Sequence, residues 1–232
     1  MANLPAPFAH ALGRQTAGEK LASRAGIALA GLGALAVGGF AAYFLQERTQ
    51  EQPEHDVLET DGAFSLRRYA PALTAETRRI GVRDNAMRSA FGTLAAYIFA
   101  KPGGRAGTAD DRKIAMTVPV TATPDQQGQQ GEEWIVRFNL PKKWSRASLP
   151  VPAAGVTITE QPARTLAVVQ FAGNAKDECL VAENRARLLA WIDRRGLIAL
   201  SQPEFAGYNA PVIPGPLRRN ELWIEVDGLN AA

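Results

Sequence analysis

Two stretches of this chain echo each other, and the echo limits the folds open to it. Lys113-Ile114-Ala115-Met116-Thr117-Val118-Pro119-Val120 is an extended apolar run closing on Pro-Val, and Glu204-Phe205-Ala206-Gly207-Tyr208-Asn209-Ala210-Pro211-Val212 is a second one. Each follows an amphipathic helix pattern with a similar ending, Leu94-Ala95-Ala96-Tyr97-Ile98 before the first and Leu188-Leu189-Ala190-Trp191-Ile192 before the second. Leu94 and Leu188 lie 94 positions apart, Pro119 and Pro211 lie 92 apart. Two landmarks at nearly one offset indicate an internal duplication.

Around these landmarks the pattern supplies the remaining elements. Phe64 and Leu66 alternate with polar neighbours up to Tyr69, and Pro71 separates this strand from a second at 73–77. Asp84 is placed to cap a helix whose Met87, Phe91, Leu94 and Ile98 step by four, three and four. A Gly-rich loop then leads into a strand at 113–120, a Gln/Gly-rich turn and an alternating strand at 134–140. The second half offers strands at 156–160 and 167–171, a helix from Asp177 to Arg195 stopped by Gly196, and strands at 205–212 and 222–226.

Each half therefore reads strand, strand, helix, strand, strand. Strands in adjacent pairs exclude a parallel doubly wound fold. The expected fold is α+β: a duplicated unit forming an antiparallel, distorted β-barrel with two helices packed on it.

The first 56 residues read differently. Residues 1–24 have the composition of a loosely ordered tail, and 25–46 carry no ionisable group but the Tyr43 phenol over a length sufficient to span a hydrocarbon core. One transmembrane helix at 25–46 is expected, followed by a linker at 47–56 and a folded domain at 57–228. Arg14, Lys20 and Arg24 precede the span, whereas Arg48 sits among Glu47, Glu51, Glu54 and Asp56. The domain should then lie outside the cytoplasm, in a bacterial source the periplasm, with the anchor single-pass in the inner membrane. Gly26, Ala30, Ala34, Gly38 and Ala42 form a small-residue face through which two such helices would make a homodimer.

Catalytic arrangements are scarce. The only histidines are His10 and His55, read as leader and linker, and Cys179 is the only cysteine. A Ser-His-Asp or Cys-His pair inside the domain is thereby excluded, and a protein-ligated metal is not expected. A net charge of +3 without a dense basic run interleaved with aromatics gives no nucleic-acid face. Arg67-Arg68 and Arg218-Arg219 read as solvated pairs. The composition argues for binding more than turnover.

Leu66-Arg67-Arg68-Tyr69, Ala75-Glu76-Thr77, Leu94-Ala95-Ala96-Tyr97-Ile98, the Met-Thr-x-Pro-Val core of 113–120, Ala206-Gly207-Tyr208 and Arg218-Arg219-Asn220-Glu221-Leu222-Trp223 together resemble the SOUL haem-binding family. The likeness runs from about Val57 to Val226. It implies a duplicated α+β domain that binds haem or another tetrapyrrole in a shallow apolar groove beside the first helix. By position, Arg88 would hold a propionate, Phe91, Leu94 and Ala95 would line the groove, Met87 and Met116 would touch the porphyrin, and Tyr208 and Trp223 would lie nearby. The axial His of some members has no counterpart between Asp56 and Ala232, and a family Lys has none in the Val-Ile-Pro-Gly-Pro segment at 212–216. The resemblance thus implies haem held without a His axial ligand.

Two alternatives accompany this carrier or buffer reading. One is an enzyme acting on a tetrapyrrole. The other is an effector-binding module for a hydrophobic cation, with Glu76 or Glu204 as the acidic groove residue.

Overall fold

A computed structural model describes residues 50–106, 111–125, 133–210 and 212–227. The chain divides into two units, Met1–Arg48 and Thr49–Ala232. The expected tail, the span at 25–46 and its small-residue face lie outside the described residues. Among those described, no helix is long and apolar enough to cross a membrane.

The domain begins earlier than its sequence pattern implies. β1 (His55–Asp61) pairs antiparallel with β2 (Phe64–Tyr69), so the last two residues of the expected linker open an edge strand. Glu51 O accepts from Val118 N at 3.0 Å, and Glu54 O accepts from Ala70 N at 3.0 Å. These bonds stitch the approach to β1 onto the domain. Polar alternation concealed β1, because only one side of an edge strand meets the core.

After β2 come β3 (Ala72–Ile80), α1 (Arg83–Ile98), β4 (Val120–Pro124) and β5 (Glu133–Asn139). The second half holds β6 (Thr157–Gln161), β7 (Arg164–Phe171), α2 (Glu178–Arg194), the short β8 (Ile198–Ala199), β9 (Glu204–Gly207) and β10 (Asn220–Asp227). One antiparallel sheet takes the strands in the order β1-β2-β7-β10-β9-β4-β5-β3-β6, with β8 beside β10. The duplication is visible in that order. Reading outward from the β9/β4 junction, β10 answers β5, β7 answers β3 and β2 answers β6.

The first strand of each half pairs with the second strand of the other half. Tyr69 faces Arg164 and Ala72 faces Gln161, so one register runs across the breaks at Pro71 and Pro162. The hydrogen-bonded path has two ends, at β1 and β6, and no ladder among the described residues joins them. The expected barrel is thus an open antiparallel sheet.

Two expected strands shift. Residues 113–119 join no ladder: Ile114 N–H goes to Ile98 O, Val118 N–H to Glu51 O, and Pro119 has no N–H to give. β4 starts only at Val120. The expected strand at 205–212 is spent by Gly207, where β9 ends. The matching Pro-Val words therefore fall at the start of β4 and beyond the end of β9, and the strands themselves, not those words, are the true repeat.

α2 is capped as expected: the Asp177 carboxylate accepts from the N–H groups of Cys179 and Leu180 at 3.1 and 3.2 Å. Gly196, at φ 65°, follows its end. α1 differs. Its N-cap is Val82, which has no capping side chain, and Asp84 sits inside the first turn. The buried face of α1 is Arg83, Ala86, Ala90, Leu94, Ala95, Tyr97 and Ile98: Leu94 and Ile98 of the expected stripe belong to it, whereas in the first turns Ala86 and Ala90 take the places expected for Met87 and Phe91.

Each helix covers its own half of the sheet. α1 packs Leu94, Tyr97 and Ile98 against Ala75, Ala122, Val136 and Phe138. α2 packs Leu188, Trp191 and Ile192 against Ala167, Val169, Leu222 and Ile224. A third cluster holds Tyr69, Val118, Leu166, Val168, Ala206, Tyr208 and Trp223, with no residue of either helix. Strand alternation explains the split: Leu222 and Ile224 face α2, so Glu221 and Trp223 face the other way.

Candidate functional site

That helix-free face is where the charge is buried. Ser65, Arg67 and Tyr69 reach it from β2, and Glu221 and Trp223 from β10. The Glu221 side chain is fully enclosed. Arg67 grips it in a two-pronged contact, Nη1 to Oε2 at 3.1 Å and Nη2 to Oε1 at 3.2 Å. Arg219 donates to Oε1 through Nη2 at 2.7 Å and Nε at 3.1 Å. The Tyr208 hydroxyl and the Trp223 indole N–H complete the shell on Oε2, at 2.8 and 2.7 Å.

The electrostatics follow from this packing. Burial works against ionising Glu221, but Arg67 and Arg219 outweigh it and hold the carboxyl below its ordinary value. Burial likewise opposes the charge on Arg67, and Glu221 with Tyr69 more than offsets it, so its pKa rises. Burial, reinforced by Glu221, pushes the Tyr208 phenol well up, which keeps it a donor. Two guanidiniums meet one carboxylate here, leaving one positive charge in excess.

The matching place in the other half is balanced. Arg137, on β5 where β10 carries Glu221, donates to Glu76 at 3.0 Å, and Arg164 donates to Glu204 at 2.9 Å. Burial tends to raise the Glu204 pKa, but Arg164 and Arg137 bring it below its ordinary value. Glu76 and Glu204, the acids considered for a cationic ligand, already hold guanidiniums of this chain.

Beside the Arg67–Glu221–Arg219 cluster opens a cleft of about 350 Å³, lined by residues of β1, β2, β7 and the approach to β10, among them Gln52, His55, Val57, Arg67, Gln170 and Arg219. Arg219 stacks over the Tyr208 ring, 3.7 Å from its centroid, and its side chain is one-third exposed. His55 stacks on Tyr69 with centroids 4.6 Å apart and planes at 25°. Its Nδ1 lies 3.0 Å from Pro53 O; a carbonyl only accepts, so Nδ1 carries the proton. A second cleft, of about 380 Å³, lies between 51–54 and 139–144. It is lined by Trp144, whose buried Nε1 has no hydrogen-bond partner among the described residues.

The residues expected beside α1 are placed as follows. Leu94 and Ala95 are 0% and 6% exposed, so both belong to the core. Met87 and Met116 are half-buried against the helix-side cores. Phe91, 43% exposed, sits edge-on to Phe138 at 5.3 Å. Arg88 is exposed and pairs with Asp84 at 2.8 Å. Arg79 lies across α1, donating to Ser89 and Thr93 at 3.2 and 2.6 Å, which bridges the seam between β3 and the helix. No α1 residue lines the two clefts described. Tyr208 and Trp223 are on the opposite face of the sheet, away from Arg88 and Phe91.

A profile of the SOUL heme-binding protein family matches residues 50–225. The chain belongs to the SOUL haem-binding family. The match starts before β1, in keeping with a domain that includes 50–56. No curated protein matches this SOUL chain. Among solved structures it is similar to the C-terminal domain of EcmrR, at 10% identity and TM-score 0.53, over 72% of this chain and 98% of that one. EcmrR in a DNA complex with RPo matches at 11% and TM-score 0.51, over 90% and 70%. At such identity these two likenesses concern the fold alone.

Among the described residues, no group of three or more His, Cys, Asp or Glu is arranged to hold a metal ion. Sequence reasoning missed His55, Arg67, Arg219 and Glu221 as site residues. A signal existed: Ser65, Arg67 and Tyr69 alternate along one strand, and Glu221 interrupts an apolar strand.

Proposed function

We propose that this SOUL domain binds a tetrapyrrole without transforming it, as a carrier or buffer. The residues at 25–46 would tether it to the inner membrane, with the domain on the periplasmic side. The observation that carries the reading is the net positive charge of the Arg67–Glu221–Arg219 cluster beside a cleft lined in part by Val57 and Ala63. Haem would bring a flat apolar ring, two carboxylates and an iron with axial positions to fill. Val57 and Ala63 offer apolar surface to one edge of the ring, and Arg219 suits a propionate by charge-assisted hydrogen bonds. At about 350 Å³ the cleft is at the small end for ligand sites, so the ring would remain partly exposed, in keeping with a protein that hands its ligand on. A hydrophobic cation fits less well, because Glu76, Glu204 and Glu221 are each paired with an arginine.

Titration of the full-length chain with haemin, against a detergent blank, should shift the Soret band and saturate near one equivalent. A titration without saturation would remove the tetrapyrrole reading. Two variants locate the seat. Arg219→Gln should weaken haemin binding about tenfold, whereas Arg88→Glu should leave it unchanged; the reverse result would return the ligand to the face of α1.

A further inference from the structure

We infer that the loops 101–113 and 141–155 form one face that docks on anionic phospholipid headgroups, those of the membrane into which residues 25–46 would run. The inference rests on the tether proposed above and gives the tethered domain an orientation. Charge is spread unevenly over this domain. Residues 50–232 carry 22 Lys and Arg against 21 Asp and Glu, yet the two loops alone carry seven Lys and Arg against two Asp. The rest of the domain therefore has more acids than bases, and an anionic surface would attract this face before any other.

The fold laces the two loops together. Ala106 N–H goes to Val151 O at 3.0 Å and Ala153 N–H to Gly104 O at 3.2 Å, and Arg112 reaches across to donate to Ser148 O at 3.2 Å. The Arg112 guanidinium lies 5.2 Å from the centroid of the half-buried Trp144 ring, and Lys143 Nζ lies 6.0 Å from it. Lys101, Lys113, Lys143 and Arg146 are exposed, as is Val151. An indole among cations is the composition of an interfacial anchor, because the cations meet phosphate and the ring suits headgroup depth. Two acids at the margin are already engaged: Glu54 holds Lys142 Nζ at 2.6 Å, and Glu51 accepts from Lys142 N at 2.7 Å.

The path of the chain keeps this face near a bilayer. Only residues 47–50 separate the end of the proposed span from Glu51, and Glu51 is bonded to the domain through its carbonyl at Val118 N and its carboxylate at Lys142 N. Five residue steps reach at most about 17 Å, on the order of two Debye lengths at physiological ionic strength. The 141–146 loop is thus held within reach of headgroup phosphate.

The test is made on the full-length chain, reconstituted in vesicles of phosphatidylcholine alone or with phosphatidylglycerol admixed. A membrane-impermeant amine reagent, which reaches only outward-facing domains, reads the accessibility of each lysine. Lys113 and Lys143 should label at least about threefold more slowly on the mixed vesicles, and high salt should remove the difference. The exposed Lys176 lies outside the face and should label alike on both. Lys143→Glu with Arg146→Glu should abolish the protection of Lys113, with unchanged far-UV circular dichroism. The same charge change on exposed positions elsewhere, Arg68→Glu with Arg185→Glu, should keep it. Equal labelling on both vesicles by a chain that resists carbonate extraction would overturn docking and leave the tether standing. Extraction by carbonate would remove the tether and the inference with it. Protection of Lys176 as great as that of Lys143, or its loss from Lys113 in the Arg68 and Arg185 variant, would reduce the effect to net charge and overturn the face. Equally slow labelling in detergent alone would overturn it in favour of a second copy of the chain.

Discussion

Glu221 is a carboxylate taken wholly out of water, and its environment makes that tolerable by surrounding it with donors from Arg67, Arg219, Tyr208 and Trp223. Removing one member of a buried ion pair leaves the other charge without a partner, which is costlier than never having buried either. Glu221→Gln should therefore destabilise the domain by about 3–5 kcal/mol, read as a lower midpoint in urea. The pH dependence has a definite sign. Because the folded pKa of Glu221 lies below the ordinary 4.5, the carboxylate's contribution is complete above 4.5 and is lost as pH falls through the lower folded value. The parent should lose stability over that acid range, and Glu221→Gln should show a shallower slope there. In the sequence Arg67 and Arg219 are members of Arg-Arg pairs. Strand alternation separates Arg67 from Arg68, turning one inward and leaving the other exposed.

At the level of elements, the two helices were read with different success for a physical reason. α2 begins with an Asp at its N-cap, the residue type whose side chain satisfies the first free N–H groups, and its start was legible. α1 begins at Val82, exposed and in the extended conformation a cap requires, but with no side chain that can accept. Asp177→Ala should cost about 1 kcal/mol, and Val82→Asp should add a similar stabilisation, both measured by urea unfolding. Arg83, buried at the start of α1, ties the two helix entrances together: it donates to Ala175 O and pairs with Glu178 at 2.9 Å. Burial lowers its pKa, with Glu178 partly offsetting it. In its first turns α1 buries Ala86 and Ala90. Of the stripe of larger residues, Leu94 and Ile98 are buried with the alanines, Met87 is half-buried and Phe91 is exposed.

Across the whole molecule, the exchange of first strands makes the halves interdependent. β2 is laddered to β7 and β3 to β6, so neither half keeps its sheet edges covered alone. Fragments 49–155 and 156–232 should each lack a cooperative unfolding transition. The mixed fragments should regain one, and the intact domain should unfold in a single step; an independently folded fragment, detected by hydrogen exchange, would contradict this. The same symmetry sets a charge contrast. The Glu76, Arg137, Arg164, Glu204 side is balanced, and the Arg67, Arg219, Glu221 side keeps one positive charge facing the cleft.

From the sequence alone came the duplication, the α+β class, both helices and the family, because hydrophobic period, capping residues and short motifs are local properties of a chain. The position of the charged cleft was decided only by tertiary structure. His55, Arg67, Arg219 and Glu221 come from three separated segments, and each looks ordinary beside its sequence neighbours. What gives them meaning is the pairing of β1 with β2 and β2 with β7, long-range ladders that place charges on one buried face, where low polarity makes their sum count.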